Sequence, residues 1–206
     1  MSILRILPNG NLVEFEYSII GKSQKGLLRL NHINADIQSA LELAVGDCYR
    51  LEDLPSPDLV IDGGGNTGLF ANAACARWPG ANVIVCEPVP QNISLIHDVL
   101  ALNSFGQCVS VQLAALSATA GYQECYYREA NQGRFDLDLP WTEEIVVPTV
   151  RLSELISETS KGITLIKFDI EGAEIDVLRD YFSSEKIVRT IIVLELHSAD
   201  VNPPYS

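Results

Sequence analysis

Apolar runs of strand length alternate with stretches of helical spacing over most of this chain. Leu59–Ile61, Val83–Cys86, Val109–Ala115, Ile163–Phe168 and Ile187–Leu196 are short runs rich in aliphatic and β-branched residues, and each reads as a strand. After the first, an alanine-rich segment runs from Gly68 and stops at Pro79-Gly80, as a helix would. Asn92 to Leu102 places Ile93, Ile96 and Leu100 on one stripe; Ile175, Leu178 and Phe182 repeat that spacing before the last strand. Such alternation predicts an α/β fold with a doubly wound, mostly parallel sheet and helices on both faces.

Two regions depart from the alternation. Residues 1–58 form a preamble in which Leu12–Tyr17 and Leu27–Leu30 read as strands around Gly21 and Gly26. Asn34 can cap a helix to Ala44 that places Ile37, Ala40, Leu41 and Ala44 on one face, and Pro55 and Pro57 mark a boundary. The second departure, residues 121–150, holds two strand-like pieces, Tyr122–Tyr127 and Ile145–Val150. Between them lies a polar loop with Asn131, Gln132, Gly133, Arg134 and Trp141. The expected organisation is an N-terminal unit, residues 1–58, packed on a core of residues 59–206 that carries this insertion.

The first strand leads into Asp62-Gly63-Gly64-Gly65-Asn66-Thr67-Gly68, a strand–turn–helix unit of the kind that wraps a nucleotide-like cofactor. Two frames fit. Gly63, Gly65 and Gly68 match the dinucleotide fingerprint Gly-x-Gly-x-x-Gly. Gly64 and Gly68 match Asp-x-Gly-x-x-x-Gly, with Asn66 tolerating a left-handed backbone between them. Asp62 weighs towards the second frame. A carboxylate at the strand's end repels a pyrophosphate but suits S-adenosylmethionine (SAM), which has no phosphate and carries an ammonium and a sulfonium. Glu87-Pro88, roughly 20 residues on, supplies the acid that would bind ribose hydroxyls.

A second dense stretch is Lys167-Phe168-Asp169-Ile170-Glu171-Gly172-Ala173-Glu174, where the fourth strand meets its helix. In a doubly wound sheet the first and fourth strands are neighbours at the switch point, so Asp62 and Asp169 are expected to face one crevice. Glu171 and Glu174 also suit the first turn of a helix, where carboxylates complement the dipole. His197 follows the fifth strand and is a candidate base for an acceptor hydroxyl.

Composition narrows the partners. With 206 residues, 47% hydrophobic and 20% charged, the chain can bury a core as one domain. A formal net charge of −13 argues against a nucleic-acid backbone as partner. No apolar window approaches the roughly 18 residues of a membrane helix, and the opening Met1–Pro8 is too short for a secretory segment. Cys48, Cys75, Cys86, Cys108 and Cys125 contain no Cys-x-x-Cys pair, so neither a disulfide framework nor a metal site is expected. A reducing cytoplasm fits.

Together the blocks resemble the FkbM family of SAM-dependent methyltransferases. Asp62–Gly68 resembles that family's Asp-Ile-Gly-Ala-Asn-x-Gly, and Glu87-Pro88 its Glu-Pro. Val147–Leu152 is similar to its segment before a short helix. Lys167–Glu174 is similar to its Lys-x-Asp-x-Glu-Gly-x-Glu, and Leu194–His197 to its last acidic strand. The resemblance covers Leu59 to His197. It implies a Rossmann-like class I methyltransferase fold, SAM as donor, and O-methylation of a hydroxyl on a sugar or natural-product small molecule. Asp62, Gly64, Gly65, Asn66, Thr67, Gly68, Glu87 and Pro88 are the expected cofactor contacts; Asp169, Glu171 and His197 are the candidate catalytic residues.

This sequence departs from the family in two respects. Gly63 and Gly65 replace an isoleucine and an alanine. With Ser206 soon after the fifth strand, the sheet is expected to be short of the family's usual last two strands. The edge is therefore expected to be covered by the N-terminal strands or by a second subunit, which would make a homodimer. Residues 128–144 are expected to form a flap over the acceptor. The sequence leaves two rivals to the methyltransferase reading, an NAD-dependent oxidoreductase and a SAM-binding protein without catalysis.

Overall fold

Three antiparallel strands, β1 (Ser2–Ile6), β2 (Leu12–Ile19) and β3 (Lys22–Arg29), lead into helix α1 (Ile33–Ala44) in a computed structural model of the chain. The structure describes residues 2–8, 10–127, 133–134, 143–156, 162–184 and 188–195. The β2–β3 hairpin turns at Ile20 and Gly21, both with positive φ, as a two-residue primed turn requires. Then follow β4 (Leu59–Gly63), α2 (Leu69–Arg77), β5 (Asn82–Glu87), α3 (Pro90–Leu102) and β6 (Val109–Leu113). The inserted region gives β7 (Ala115–Leu116), β8 (Gly121–Tyr127), β9 (Gly133–Arg134) and β10 (Glu143–Val150). The chain continues with α4 (Leu152–Leu155), β11 (Thr164–Phe168), α5 (Glu174–Ser183) and β12 (Thr190–Leu194).

Five of these strands form the central sheet, all parallel, in the order β12-β11-β4-β5-β6. This is the Rossmann-like α/β arrangement that the alternation predicted. β4 lies in the middle and β11 beside it, so the chain reverses its direction of travel across the sheet between them. That boundary is where a doubly wound sheet opens a crevice beyond its carboxyl ends. The strands β4 and β11 are covered on both faces and buried throughout, apolar but for Asp62, Thr164 and Lys167. The insertion is a hairpin of β8 and β10, extended by β9 and joined to the core through β7.

Helix α2 explains where the N-terminal strands lie. From Leu69 to Ala76 every residue is buried, so the helix has no face that tolerates water. The β2–β3 hairpin covers its outer side. Phe15, Tyr17 and Leu28 share one core with Leu69, Phe70 and Ala74, and Asn72 Nδ2 donates to the Tyr17 hydroxyl at 2.8 Å. Gly26 permits the contact: a Cβ there would sit 2.4 Å from the Phe15 ring and 2.9 Å from Leu69.

The expectation that the N-terminal strands repair the edge of the sheet is therefore corrected. They form a sheet of their own over the helices, because α2 needed that cover. Among the described residues no strand pairs with the outer side of β12. Two helical stripes also differ from the expected ones. In α1, Asp36, Ala40 and Leu43 are buried, while Leu41 is exposed. In α5, Glu174, Val177 and Tyr181 face the core, while Ile175 and Phe182 are exposed. Polar tips with partners made that second stripe possible: the Tyr181 and Thr190 hydroxyls lie 2.8 Å apart, and Glu174 caps its own turn. No helix of the described residues is long and apolar enough to cross a membrane.

Candidate functional site

A cavity opens at the carboxyl ends of β4, β5 and β11, lined by the glycine turn, Glu87-Pro88, Lys167 and the Asp169–Glu171 loop. Its opposite wall is α1, through Gln38, Ser39 and Glu42, together with Tyr49. Of the expected cofactor residues, Gly64, Gly65, Asn66, Thr67, Glu87 and Pro88 line this cavity. Gly68 lies one step deeper as the left-handed N-cap of α2. Asp169 and Glu171 line it too. His197 and Trp141 lie outside the described residues, as does most of the expected flap at 128–144.

The turn is glycine-rich because the protein presses on it from within. At Gly64, with φ +79°, a Cβ would come within 1.9 Å of the Asp169 carbonyl oxygen. At Gly65 it would lie 2.4 Å from Val85, and at Gly63 2.6 Å from Leu116. The glycines thus have structural reasons, and their number is not by itself a ligand signal. The turn also spends its donors internally: Gly64 N–H donates to the Cys86 carbonyl, Gly68 N–H to that of Gly65, and Asn66 N–H to the Glu87 carboxylate.

Glu87 is the most constrained acid of the cavity. Its Oε1 accepts from Val89 N–H at 2.8 Å and from Asn92 Nδ2 at 3.1 Å, and its Oε2 accepts from Asn66 N–H at 2.8 Å. Burial pushes its carboxyl above the ordinary glutamate value, and these three donors oppose that push. The side chain is fixed at a cavity wall with its charged form supported by hydrogen bonds.

Asp62 is placed differently. It is fully buried and is absent from the cavity lining; the group beside it is the ammonium of Lys167, 3.2 Å from Oδ1. Lys167 Nζ also donates to the carbonyls of Gly64 at 2.7 Å and Gly63 at 3.3 Å, and stands 3.5 Å from Asp169 Oδ2. Burial would lower the lysine's pKa, but Asp62 and Asp169 outweigh it, so the ammonium is held charged. Burial pushes the Asp62 carboxyl up, and Lys167 restrains the shift. Asp62 therefore reaches the cavity through Lys167, whereas Asp169 stands on its wall.

The Asp169–Gly172 loop is held from two sides. Asp169 N–H donates to the Gly63 carbonyl at 3.1 Å, which ties the two strand-end loops together. Glu174, fully buried, accepts from Ile170 N–H and Gly172 N–H. Between them Glu171 adopts φ +55° and lines the cavity. The repeated acids of this motif therefore divide their work, Glu174 stapling the loop and Glu171 facing the cavity.

Lys167, Asn92 and the α1 wall had no assigned role in the sequence reading. Lys167 had a legible signal: a lone charge inside an apolar strand needs a counter-charge, and in register it pairs with Asp62 of β4. Cys86 and Cys125 also line the cavity, but burial pushes both thiols up to about 12, which makes them packing groups rather than nucleophiles. Among the described residues no three His, Cys, Asp or Glu side chains converge as a metal site would.

A sequence model described as the Methyltransferase FkbM domain matches residues 62–203. Methyltransferase 1 of Beauveria bassiana (strain ARSEF 2860) is 27% identical over 160 residues, covering 67% of this chain and 64% of that protein. Methyltransferase sdnD of Sordaria araneosa is 26% identical over 196 residues, covering 79% of this chain and 75% of that protein. The chain therefore spans just under two thirds of the first relative's length. Among solved structures, the N-terminal domain of human METTL16 in complex with SAH aligns at 12% identity and a TM-score of 0.35, over 78% of this chain and 54% of that one. The segment that matches the family begins at Asp62 and takes in Glu87, the Lys167–Glu174 stretch and β12, and the chain belongs to the FkbM methyltransferase domain family.

Proposed function

We propose that this protein transfers a methyl group from SAM to a hydroxyl of a small molecule, a sugar or natural-product scaffold. The carrying observation is Glu87: a buried carboxylate held by three donors at the cavity wall, two of them on Oε1 and one on Oε2, so that Oε2 keeps a lone pair for a ribose hydroxyl. The residues present fit SAM better than a dinucleotide. Gly64, Asn66 and Gly68 have no N–H to spare for a pyrophosphate, and the acids Glu87, Asp169 and Glu171 on the same lining would repel one. At the other end of the turn, Asp169 and the Lys167 ammonium offer opposite charges to a zwitterionic amino-acid group.

When bound, SAM supplies an activated methyl group. This chain's residues would then bind and align. Effective molarities of about 10⁵ M or more are available from alignment alone. Glu87 fixes the nucleoside, Lys167 keeps the turn's carbonyls and Asp62 in place, and Asp169 is the candidate to take the proton of the acceptor hydroxyl. Glu171 flanks it on the same loop, with His197 as the second candidate base. A base in this position is worth about 10²–10⁴-fold.

The test is incubation with methyl-labelled SAM and a panel of hydroxylated small molecules, read by mass spectrometry. Gain of one methyl mass on an acceptor, with release of S-adenosylhomocysteine, supports the proposal; turnover of NAD with a hydroxyl substrate, and none with SAM, would replace it with an oxidoreductase.

A further inference from the structure

Arg29 is the last residue of β3, 33 positions before the segment that matches the family, yet it reaches the cofactor turn. It is 9% exposed and its guanidinium is engaged on every side. Nε donates to Asp36 Oδ2 at 3.0 Å, and Nη2 donates to the other oxygen of that carboxylate. Nη2 also donates to Asn66 Oδ1 at 2.9 Å, and Nη1 to Asn92 Oδ1 at 2.6 Å.

These contacts close a ring. Asn66 N–H and Asn92 Nδ2 both donate to Glu87, one to each carboxylate oxygen. Arg29 thus grips the two residues that grip Glu87. The accounting fixes both amides. Asn92 must turn its oxygen to a guanidinium that can only donate and its NH₂ to a carboxylate that can only accept. Asn66, at φ +46°, needs a reason to hold the left-handed conformation that aims its N–H at Glu87; its side-chain bond to Arg29 supplies one. Four elements meet here: β3, the glycine turn, the end of β5 and α3.

We propose that Arg29 is a positioning residue of the donor site, so that the N-terminal sheet sets the geometry with which Glu87 reads the ribose. This rests on the SAM reading above. Arg29 itself touches no reacting atom; it acts through Asn66 and Asn92.

Two variants test the idea. Arg29→Lys keeps a cation for Asp36 but lacks the planar fork that serves both asparagines at once. Arg29→Met combined with Asp36→Asn removes both charges together, leaving no uncompensated buried ion, and retains an acceptor for the residue-29 N–H that now bonds Asp36 at 2.7 Å. Both are measured by calorimetric titration with SAM and by steady-state kinetics, with circular dichroism reporting the fold. The expected result is a tenfold or greater rise in the SAM dissociation constant and in KM for SAM, with kcat at saturating SAM and KM for the acceptor nearly unchanged. A merely structural role would instead lower the titration stoichiometry and the apparent kcat with the folded fraction, and leave the dissociation constant and both KM values unchanged. SAM affinity within twofold of wild type in either folded variant overturns the role of Arg29 while leaving the SAM reading intact. Absence of SAM binding by the wild-type protein overturns both.

Discussion

Lys167 Nζ lies 3.2 Å from Asp62 Oδ1 across two adjacent, fully buried strands. Neither charge can be left alone there. The ammonium forms an ion pair with Asp62, donates to two carbonyls of the glycine turn and, at longer range, faces Asp169, so one buried cation organises both loops of the crevice. Lys167→Met should therefore strand the Asp62 carboxylate, a loss of about 3–5 kcal/mol for breaking a buried pair. Urea denaturation should show that loss, and the double variant Lys167→Met with Asp62→Leu should recover much of it. Equal stability of Lys167→Met and wild type would show that the pair is not coupled.

Gly64 and Gly80 offer a paired test of the turn. Gly64 has φ +79° and the Asp169 carbonyl 1.9 Å from where a Cβ would sit; Gly80 has open space around it. Gly64→Ala should destabilise by about 2 kcal/mol or more, since strain and overpacking add. Gly80→Ala should stay within about 0.5 kcal/mol of wild type. Similar thermal midpoints for the two variants would contradict the close approach of the two loops.

If SAM binds beside Glu87 as proposed, its affinity should depend on pH. The Glu87 carboxyl is raised above 4.5, chiefly by burial, so its protonated form is favoured more in the fold than in the unfolded chain. The resulting stability contribution is complete below the unfolded value and is lost as pH rises through the raised one. Binding of the proposed ribose has the opposite slope, because the carboxylate can accept from a hydroxyl while still accepting from its three protein donors, and the protonated acid cannot. SAM affinity should thus fall on acidification through that raised value, earlier than for an ordinary glutamate. Titration across pH should show this acid limb in wild type and its absence in Glu87→Gln. The same limb in both would assign it to another group.

Asp169→Asn keeps the shape of the cavity wall and removes its carboxylate. If Asp169 takes the acceptor's proton, kcat should drop about 10²–10⁴-fold. Glu171→Gln, two residues further on, should cost much less. Full turnover by Asp169→Asn would pass the proton to another residue, with His197 the next to replace.

The inner strands β4 and β11 were legible because burial on both faces demands a short, mainly apolar run bounded by turn residues, and the half-buried edge strands β6 and β12 because they are rich in β-branched residues or alternate with polar ones. The crevice followed from their order, with β4 beside β11. What sequence periodicity missed were polar groups that bury because they find partners. Glu174 and Tyr181 entered the core of α5 at the expense of Ile175 and Phe182. Arg29 and Asp36 became buried through one another and through asparagines 37 and 63 positions from Arg29. Long-range pairing of this kind leaves no local pattern in the chain. Strand β1 escaped notice because its pairing with β2 shifts register between Ile3 and Arg5, which breaks the alternation that marks a strand.

The central claim is that the cavity beside Glu87 takes SAM, and isothermal titration of the wild-type protein with SAM and, separately, with NAD addresses it most directly. One-to-one saturable heat with SAM and none with NAD is the predicted result. Saturable binding of NAD with no heat from SAM would contradict it.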